Sequence, residues 1–489
     1  RYLPSPVRLT RIKDLAPHQN VEAVGLRDLL GDPLIEECWC FNFLFDVSFI
    51  MEHFDPDIRS LVKLKIIHGF WKNDDQRRID LLESASHYPN IDLISAYLPD
   101  PFGTHHTKMM ILFRRDASAQ VIIHTANMIP RDWGNMTQAV WQSPLLPLQT
   151  DNTSSQKMAQ SMNESHPLGS GERFNVDLMR YLDAYGKRLS ALMERLGKYD
   201  FSSIRAAFIA SAPSKQDPNM AKPARRTSFG WLGLKEILSH IPVRTGDGKG
   251  KPNIVIQISS IATLGQNPTW LQNFQSDLIS TTPTFNIIFP TPTEIRSSLD
   301  GYLSGGSIHT KIQSPAQQKQ LDYLRPLLCH WRTPSSTSPS PQPRHSNDLE
   351  PKKRTAHRGP AAPHIKTYIR FGDKTQHNID WAMVTSANLS KQAWGDVVSK
   401  KGEIWIQSWE CGVVVWPELF RGDGCEEDEE AVMIPVFGKD GPGEGKRKVV
   451  VGFRMPYDLP LIPYRPDEVP WCASLAHSEP DWAGRTWTG

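Results

Sequence analysis

Two stretches of the chain run through the same order of apolar and polar positions. Met109 to Phe113 is followed by a polar break, Arg114 to Ala119, and then by Val121 to Ile123; Tyr368 to Phe371 is followed by Gly372 to Asp380 and then by Trp381 to Val384. Short apolar runs bounded by turn-forming residues predict hairpins. Further strands are predicted over Lys63 to His68, Ile91 to Tyr97, Ala206 to Ile209 and Ile254 to Ile258, and a long one over Glu403 to Trp416, interrupted by Glu410. Phe174, Leu178, Tyr181, Leu182 and Tyr185 fall at helical spacing and continue through Leu189, Leu192, Met193 and Leu196. That pattern predicts one helix crossing between two parts of the chain. A shorter helix is expected over Ser228 to Leu238, with Trp231 and Leu232 on its packed side. The chain opens on a loop-like segment rich in Pro and Arg before the apolar stretch Cys38 to Ile50, and most of its aromatics, Phe41, Phe43 and Phe45, read as core. Asn42, set between Phe41 and Phe43, should face away from both.

Polar segments punctuate these elements. Pro147 to Gly171 reads as a long loop, and residues 333–362 as a low-complexity insert, rich in Pro and Ser, that need not pack. Its Lys352, Lys353 and Arg354 are a solvated run by default, and otherwise a targeting or DNA-contacting patch. An acidic break, Cys425 to Glu430, and a glycine-rich basic one, Gly438 to Lys448, separate late strands.

Each hairpin carries the same chemistry at its two ends. His106 and Lys108 precede the first, and Thr125-Ala126-Asn127 follows it; His364 and Lys366 precede the second, and Ser386-Ala387-Asn388 follows it. In a strand each His and its Lys share one face. One His-x-Lys means little, but two in the same setting imply an internal duplication whose halves can meet at one site. A third, His309-Thr310-Lys311, follows Gly305 and Gly306 and leads into no such strand, so it is set aside as a catalytic pair, though its neighbourhood could line a groove.

Two histidines, two lysines and two asparagines suit phosphoryl transfer without a metal. One histidine, starting neutral, can attack, and the other, starting charged, can protonate the leaving group. Lysines and asparagine amides then cradle the equatorial oxygens. A histidine in such a site needs its second ring nitrogen held, and Gln138 is a candidate; its other reading is a surface amide. Glu410, among Trp409, Cys411, Val413 and Val415, needs a partner or an edge position.

The wording around these residues, Phe102-Gly-Thr-His-His-Thr-Lys-Met-Met and Thr385-Ser-Ala-Asn-Leu-Ser-Lys-Gln-Ala-Trp-Gly, resembles the tyrosyl-DNA phosphodiesterases, a branch of the phospholipase D superfamily. Ordinary phospholipase D motifs place an Asp five residues after the Lys, where this chain has Phe113 and Phe371. That departure is the one expected of the tyrosyl-DNA branch. The resemblance spans nearly the whole chain and implies two α/β domains related by a pseudo-twofold axis, each a mixed sheet flanked by helices. A boundary near 195 would give each domain, 1–195 and 196–489, one His-x-Lys. The implied reaction is removal of a topoisomerase I tyrosine or peptide, or another block, from a DNA 3′ phosphate. His106 would be the nucleophile and His364 the acid, Glu410 would orient one histidine with Gln138 as its counterpart, and neither metal nor cofactor would take part. The resemblance also places DNA backbone contacts on Ser260 and Thr263, which otherwise read as a helix cap. Phe102 is expected to stack on a base of single-stranded or frayed DNA, with a core position as its other reading. Members of that family carry a poorly ordered N-terminal extension, and a chain opening at Arg1 is expected to be a core trimmed of it.

Composition fits this picture without deciding it. The formal net charge of +2 over 489 residues is too small to advertise a nucleic-acid binder, so any DNA contact must come from a local groove. No apolar stretch approaches membrane-spanning length. Six cysteines, sparse and without zinc-site spacing, suit a reduced intracellular protein, expected in the nucleus and as a monomer. The competing functions are a related nuclease or phospholipase, and a catalytically silent nucleic-acid-binding module.

Overall fold

The apolar runs become strands because both of their faces are buried. Along Met109–Arg114, Met109, Ile111 and Phe113 enter one hydrophobic cluster while Met110 and Leu112 enter another. This is the period of two that a strand imposes. Ile379–Thr385 divides likewise: Ala382 and Val384 join the first cluster, and Trp381 and Met383 a third. The first cluster is therefore a central layer shared by two sheets, and the other two lie outside them, under helices. The computed structural model describes residues 1–149, 164–218, 227–243, 251–277, 283–333, 353–397, 402–422, 430–442 and 448–489.

An eight-stranded sheet runs in the order Val7–Leu9, Ala139–Gln142, Ser118–His124, Met109–Arg114, Ile35–Phe41, Lys63–His68 and Ile91–Ser95, with Leu146–Pro147 beside Ser118–His124. The second, eleven-stranded sheet repeats this path as Ala207–Ser211, Glu410–Val415, Ile379–Thr385, Thr367–Phe371, Asn253–Gln257, Thr284–Ile288 and Leu328–His330. Parallel and antiparallel neighbours match pair by pair. The duplication read from two short motifs thus extends through both sheets.

Several expectations are corrected. The opening segment is not a loop, since Tyr2–Leu3 pairs with Lys448–Arg454 in the second sheet and Val7–Leu9 edges the first. The long helix is two. Gly171–Asp183, capped by Ser170, buries Phe174, Leu178, Tyr181 and Leu182 in the central layer, and a turn at Gly186–Leu189 separates it from Ser190–Leu196. Gly186 takes a φ of +68°, which glycine adopts readily and a continuing helix does not. The Glu403 to Trp416 stretch is broken at Gln407 to Trp409 into Ile404–Ile406 and Glu410–Val415, which belong to different sheets.

Of the insert, 334–352 lies outside the described residues, as do 150–163 of the polar loop, 423–429 of the acidic break and 443–447 of the basic one. Residues 353–362 do pack. Arg354 pairs with Leu459, Ala356 and Ala361 are buried, and Arg358 Nη1 donates to the Thr10 carbonyl at 2.8 Å. Small apolar side chains and a paired guanidinium give this end a reason to fold that its low-complexity neighbour lacks.

Candidate active site at the seam of the two sheets

His106 and Lys108 stand just before Met109–Arg114, and His364 and Lys366 just before Thr367–Phe371, rather than on the strands themselves. Each approach segment leaves its own sheet to pair with the other half. The His106 N–H donates to the Trp409 carbonyl and the Trp409 N–H to the Thr104 carbonyl, each at 2.9 Å. Ala362–Pro363 runs parallel to Met136–Thr137, and the N–H groups of His364 and Ile365 both donate to the Thr137 carbonyl at 3.0 Å. Glu410 follows Trp409 and opens Glu410–Val415, and Gln138 follows Thr137 and directly precedes Ala139–Gln142, so each clip sets a histidine beside a polar residue at the start of a strand pairing in the opposite half.

His106 Nδ1 lies 2.9 Å from Glu410 Oε2, which also accepts from the Ser386 hydroxyl. His364 Nδ1 lies 3.1 Å from Gln138 Nε2, while Gln138 Oε1 accepts from the Thr125 hydroxyl at 2.8 Å. Thr125 and Ser386 occupy equivalent places, each two residues before its asparagine. Gln138 and Glu410 are both buried, which rules out a surface amide and an exposed edge charge. An ionised carboxylate can only accept, so His106 carries its hydrogen on Nδ1 and presents a bare Nε2. The Gln138 amide, turned by Thr125, sits against His364 Nδ1, which the Asp132 carboxyl also approaches, and Lys366 Nζ lies 3.2 Å from His364 Nε2. The two imidazoles are therefore held by different groups, His106 by a carboxylate and His364 by an amide, a buried acid and a lysine.

One member of the site escaped the sequence reading. Asp132 is fully buried, with Oδ2 3.2 Å from His364 Nδ1, and it accepts the Asn127 N–H at 2.7 Å. Asp132 precedes Trp133 as Ala393 precedes Trp394, so the matching turn of the second half has no acid. Aligning the two turns on their tryptophans was the available signal. The asparagines differ too. Asn388 Oδ1 accepts from the N–H groups of Ser259 and Ser260 at 3.0 and 2.9 Å, which aims its amide, whereas Asn127 Oδ1 has no hydrogen-bond partner among the described residues.

Lys108 and Lys366 are fully buried beside the histidines, their ammonium groups donating to the carbonyls of His106 at 3.2 Å and His364 at 2.6 Å. Burial lowers His106 to about 4, with Glu410 opposing and Lys108 reinforcing the shift. Burial, then Lys366 and Lys108, pushes His364 well below its usual value. Burial and the lysines thus favour the neutral form of both imidazoles, rather than the charged form expected of one, with Glu410 opposing the shift at His106. Burial also lowers Lys108 to about 8 and takes Lys366 well down, with Lys108 adding to the latter. Glu410, which burial alone would raise, is held below its usual value by His106 and Lys108; burial raises Asp132. Two cations forced together in a dry site favour an anionic ligand.

A cavity of about 340 Å³ opens over these groups, bordered by His106, His364, Asn127, Asn388 and Ser260. Phe102 stands at its mouth, 75% exposed, which excludes a core role. Thr263 is exposed and borders an adjoining cavity that shares Ser260, Ala262, His309 and Gln392 with the first. Neither Ser260 nor Thr263 caps a helix, since the next one begins at Thr269. His309 is not beside either catalytic strand, but its backbone pairs with Ser259 and Ile261 and its side chain borders both cavities, as Lys311 does the second. Among the described residues no three His, Cys, Asp or Glu side chains gather as a metal site. No described helix is long and apolar enough to cross a membrane.

The family model of the tyrosyl-DNA phosphodiesterases matches residues 6–465. The chain belongs to that family. A Schizosaccharomyces pombe protein named "Probable tyrosyl-DNA phosphodiesterase" is 31% identical over 99% of this chain and 95% of its own length. The tyrosyl-DNA phosphodiesterase 1 of Drosophila melanogaster is 30% identical over 96% of this chain and 74% of its own. The crystal structure of the yeast tyrosyl-DNA phosphodiesterase matches 95% of this chain and 99% of its own with a TM-score of 0.63 at 19% identity, a likeness of fold. The two-sheet α/β architecture with pseudo-twofold symmetry is thus the family's own.

Proposed function

We propose that this chain hydrolyses the bond between a topoisomerase I tyrosine, or a peptide bearing it, and a DNA 3′ phosphate, and that it also clears other 3′ blocks. The observation that carries the proposal is the unequal holding of two imidazoles that border one cavity, His106 by the Glu410 carboxylate and His364 by the Gln138 amide. His106 Nε2 attacks phosphorus, forming a P–N bond as the P–O bond to tyrosine breaks, and the Glu410 carboxylate stabilises the positive phosphohistidine. The diester brings the negative charge that the lysine-rich site lacks, which raises the proton affinity of His364 and lets it hold a second proton. His364 gives the tyrosine oxygen its proton and becomes neutral. It then takes a proton from water, whose oxygen attacks phosphorus and breaks the P–N bond, leaving a DNA 3′-phosphate, a neutral His106 and a His364 that again holds two protons, the second of which returns to solvent when the product leaves. Lys108, Lys366, Asn127 and Asn388 hold the equatorial oxygens in both steps.

DNA, single-stranded or frayed, would stack a base on exposed Phe102 and lay its backbone on Ser260 and Thr263. We place the enzyme in the nucleus as a monomer and give it no metal or cofactor, since the groups that converge on the cavity are His, Lys and Asn donors rather than the oxygen cage a Mg²⁺ ion takes. The test is a panel of 3′-phosphotyrosyl DNA, 5′-phosphotyrosyl DNA and phosphatidylcholine in EDTA. Turnover of the first alone is expected. Activity that requires added metal, or that favours the lipid, would refute the reading.

A further inference from the structure

The cavity is not symmetric along its length, although the fold around it is. Arg131 and Gln392 occupy equivalent places, each four residues beyond its asparagine, and both border the cavity. The backbone carbonyl of Gln392 accepts from the N–H groups of Gln407 and Ser408, which sets it at the Phe102 and Thr104 end. Arg131 is next to Asp132, which touches His364 Nδ1. Its Nη1 donates to the Leu303 carbonyl at 3.0 Å and lies only 3.2 Å from where a Cβ would stand on Gly306, so the absence of a side chain there seats the guanidinium. Among the described residues no carboxylate forms an ion pair with Arg131, and its buried Nε has no hydrogen-bond partner. His309, which pairs beside Ser260 and borders both cavities, is lowered by burial and by Lys366 and Arg131, so burial disfavours a competing positive charge there.

In-line displacement sends the leaving group away from the nucleophile, towards the acid. The acid is His364, so the departing tyrosine lies at the Arg131 end and the DNA at the Phe102 and Gln392 end. A guanidinium with donors to spare recognises a carboxylate as a two-pronged partner. We infer that Arg131 is a specificity-determining residue that binds a carboxylate of the leaving group, the α-carboxylate of a terminal tyrosine or an acidic side chain beside a tyrosine within a peptide. The inference rests on the proposed reaction and adds to it the preferred chemistry of the departing half.

The test compares oligonucleotides bearing 3′-phosphotyrosine with a free carboxylate against 3′-phosphotyramine, which has none. The wild type should favour tyrosine in kcat/KM by roughly tenfold or more, the usual worth of a charge-assisted hydrogen bond. Arg131→Gln should collapse that ratio, and Arg131→Lys, which keeps the charge without the fork, should retain part of it. A wild type with no preference would overturn the inference without needing any variant to fold. So would Arg131→Gln that slows both substrates equally, the mark of a DNA-phosphate contact or a structural role. A wild type inert on both would overturn the proposed reaction, and the inference with it.

Discussion

The two halves hold their histidines with the same backbone and different side chains. In each, an extended segment is clipped to a backbone carbonyl of the opposite half, Trp409 or Thr137, and in each the next residue, Glu410 or Gln138, is steadied by a hydroxyl two places before an asparagine. One half receives a carboxylate, Glu410, and the other an amide, Gln138, joined by the carboxyl of Asp132. The carboxylate holds hydrogen on His106 Nδ1 and leaves Nε2 bare for attack, whereas the amide, acid and lysine around His364 suit an imidazole that gains and gives up a proton. Duplication supplied the geometry, and divergence at a few side chains supplied the division of labour.

Changing the holding groups should break that division unequally. Glu410→Gln removes the charge that fixes the His106 tautomer and stabilises its positive adduct, so turnover should fall roughly a hundredfold or more. Gln138→Ala removes a neutral contact while Asp132 remains, and a loss of about tenfold is expected. Comparable losses in single-turnover assays would mean that the halves are not specialised.

A smaller effect reads the electrostatics. Because Glu410 raises the proton affinity of His106, the acid limb of kcat/KM, expected near pH 4 in the wild type, should move lower still in the Glu410→Gln enzyme. A limb that moves upward would contradict the account. Smaller again is the effect on stability. Burial lowers His105 and His124 to about 3 and His68 to about 4, against about 6.5 in an unfolded chain. Below that value the unfolded state binds the extra protons, so this contribution is complete above pH 6.5 and is lost as pH falls towards 4. Tm should drop across that window, and an unchanged Tm between pH 7 and 4.5 would remove these neutral histidines from the account.

Which parts of the molecule were legible in the sequence follows the same line between what is repeated and what is not. His106, Lys108, Asn127 and their counterparts announced themselves because the chemistry occurs twice, and the hairpins carrying them showed as paired apolar runs. Asp132 and Arg131 have no counterpart in the repeat, since Ala393 and Gln392 stand in their places, so only an alignment of the two turns on their tryptophans would have singled them out as differences. The clips were hidden for another reason: Trp409 and Thr137 act through their carbonyls, which no side chain advertises. Periodicity also overran two breaks. It carried the helix through Gly186, whose positive φ outweighs apolar spacing, and it carried a strand through Gln407 to Trp409, where the chain passes between sheets. The pull of burial and of the buried lysines on both imidazoles was not legible either, because desolvation depends on the assembled fold.

The central claim, that His106 takes the phosphate and His364 moves the proton, is tested most directly by acid-quench trapping with 3′-labelled DNA followed by peptide mapping. The wild type and a His364→Ala variant should carry the label on His106, and the variant should accumulate it on a substrate with a good phenolate leaving group. His106→Ala should trap none and turn over almost nothing. Label on His364, or brisk single-turnover cleavage with no labelled histidine, would contradict the account.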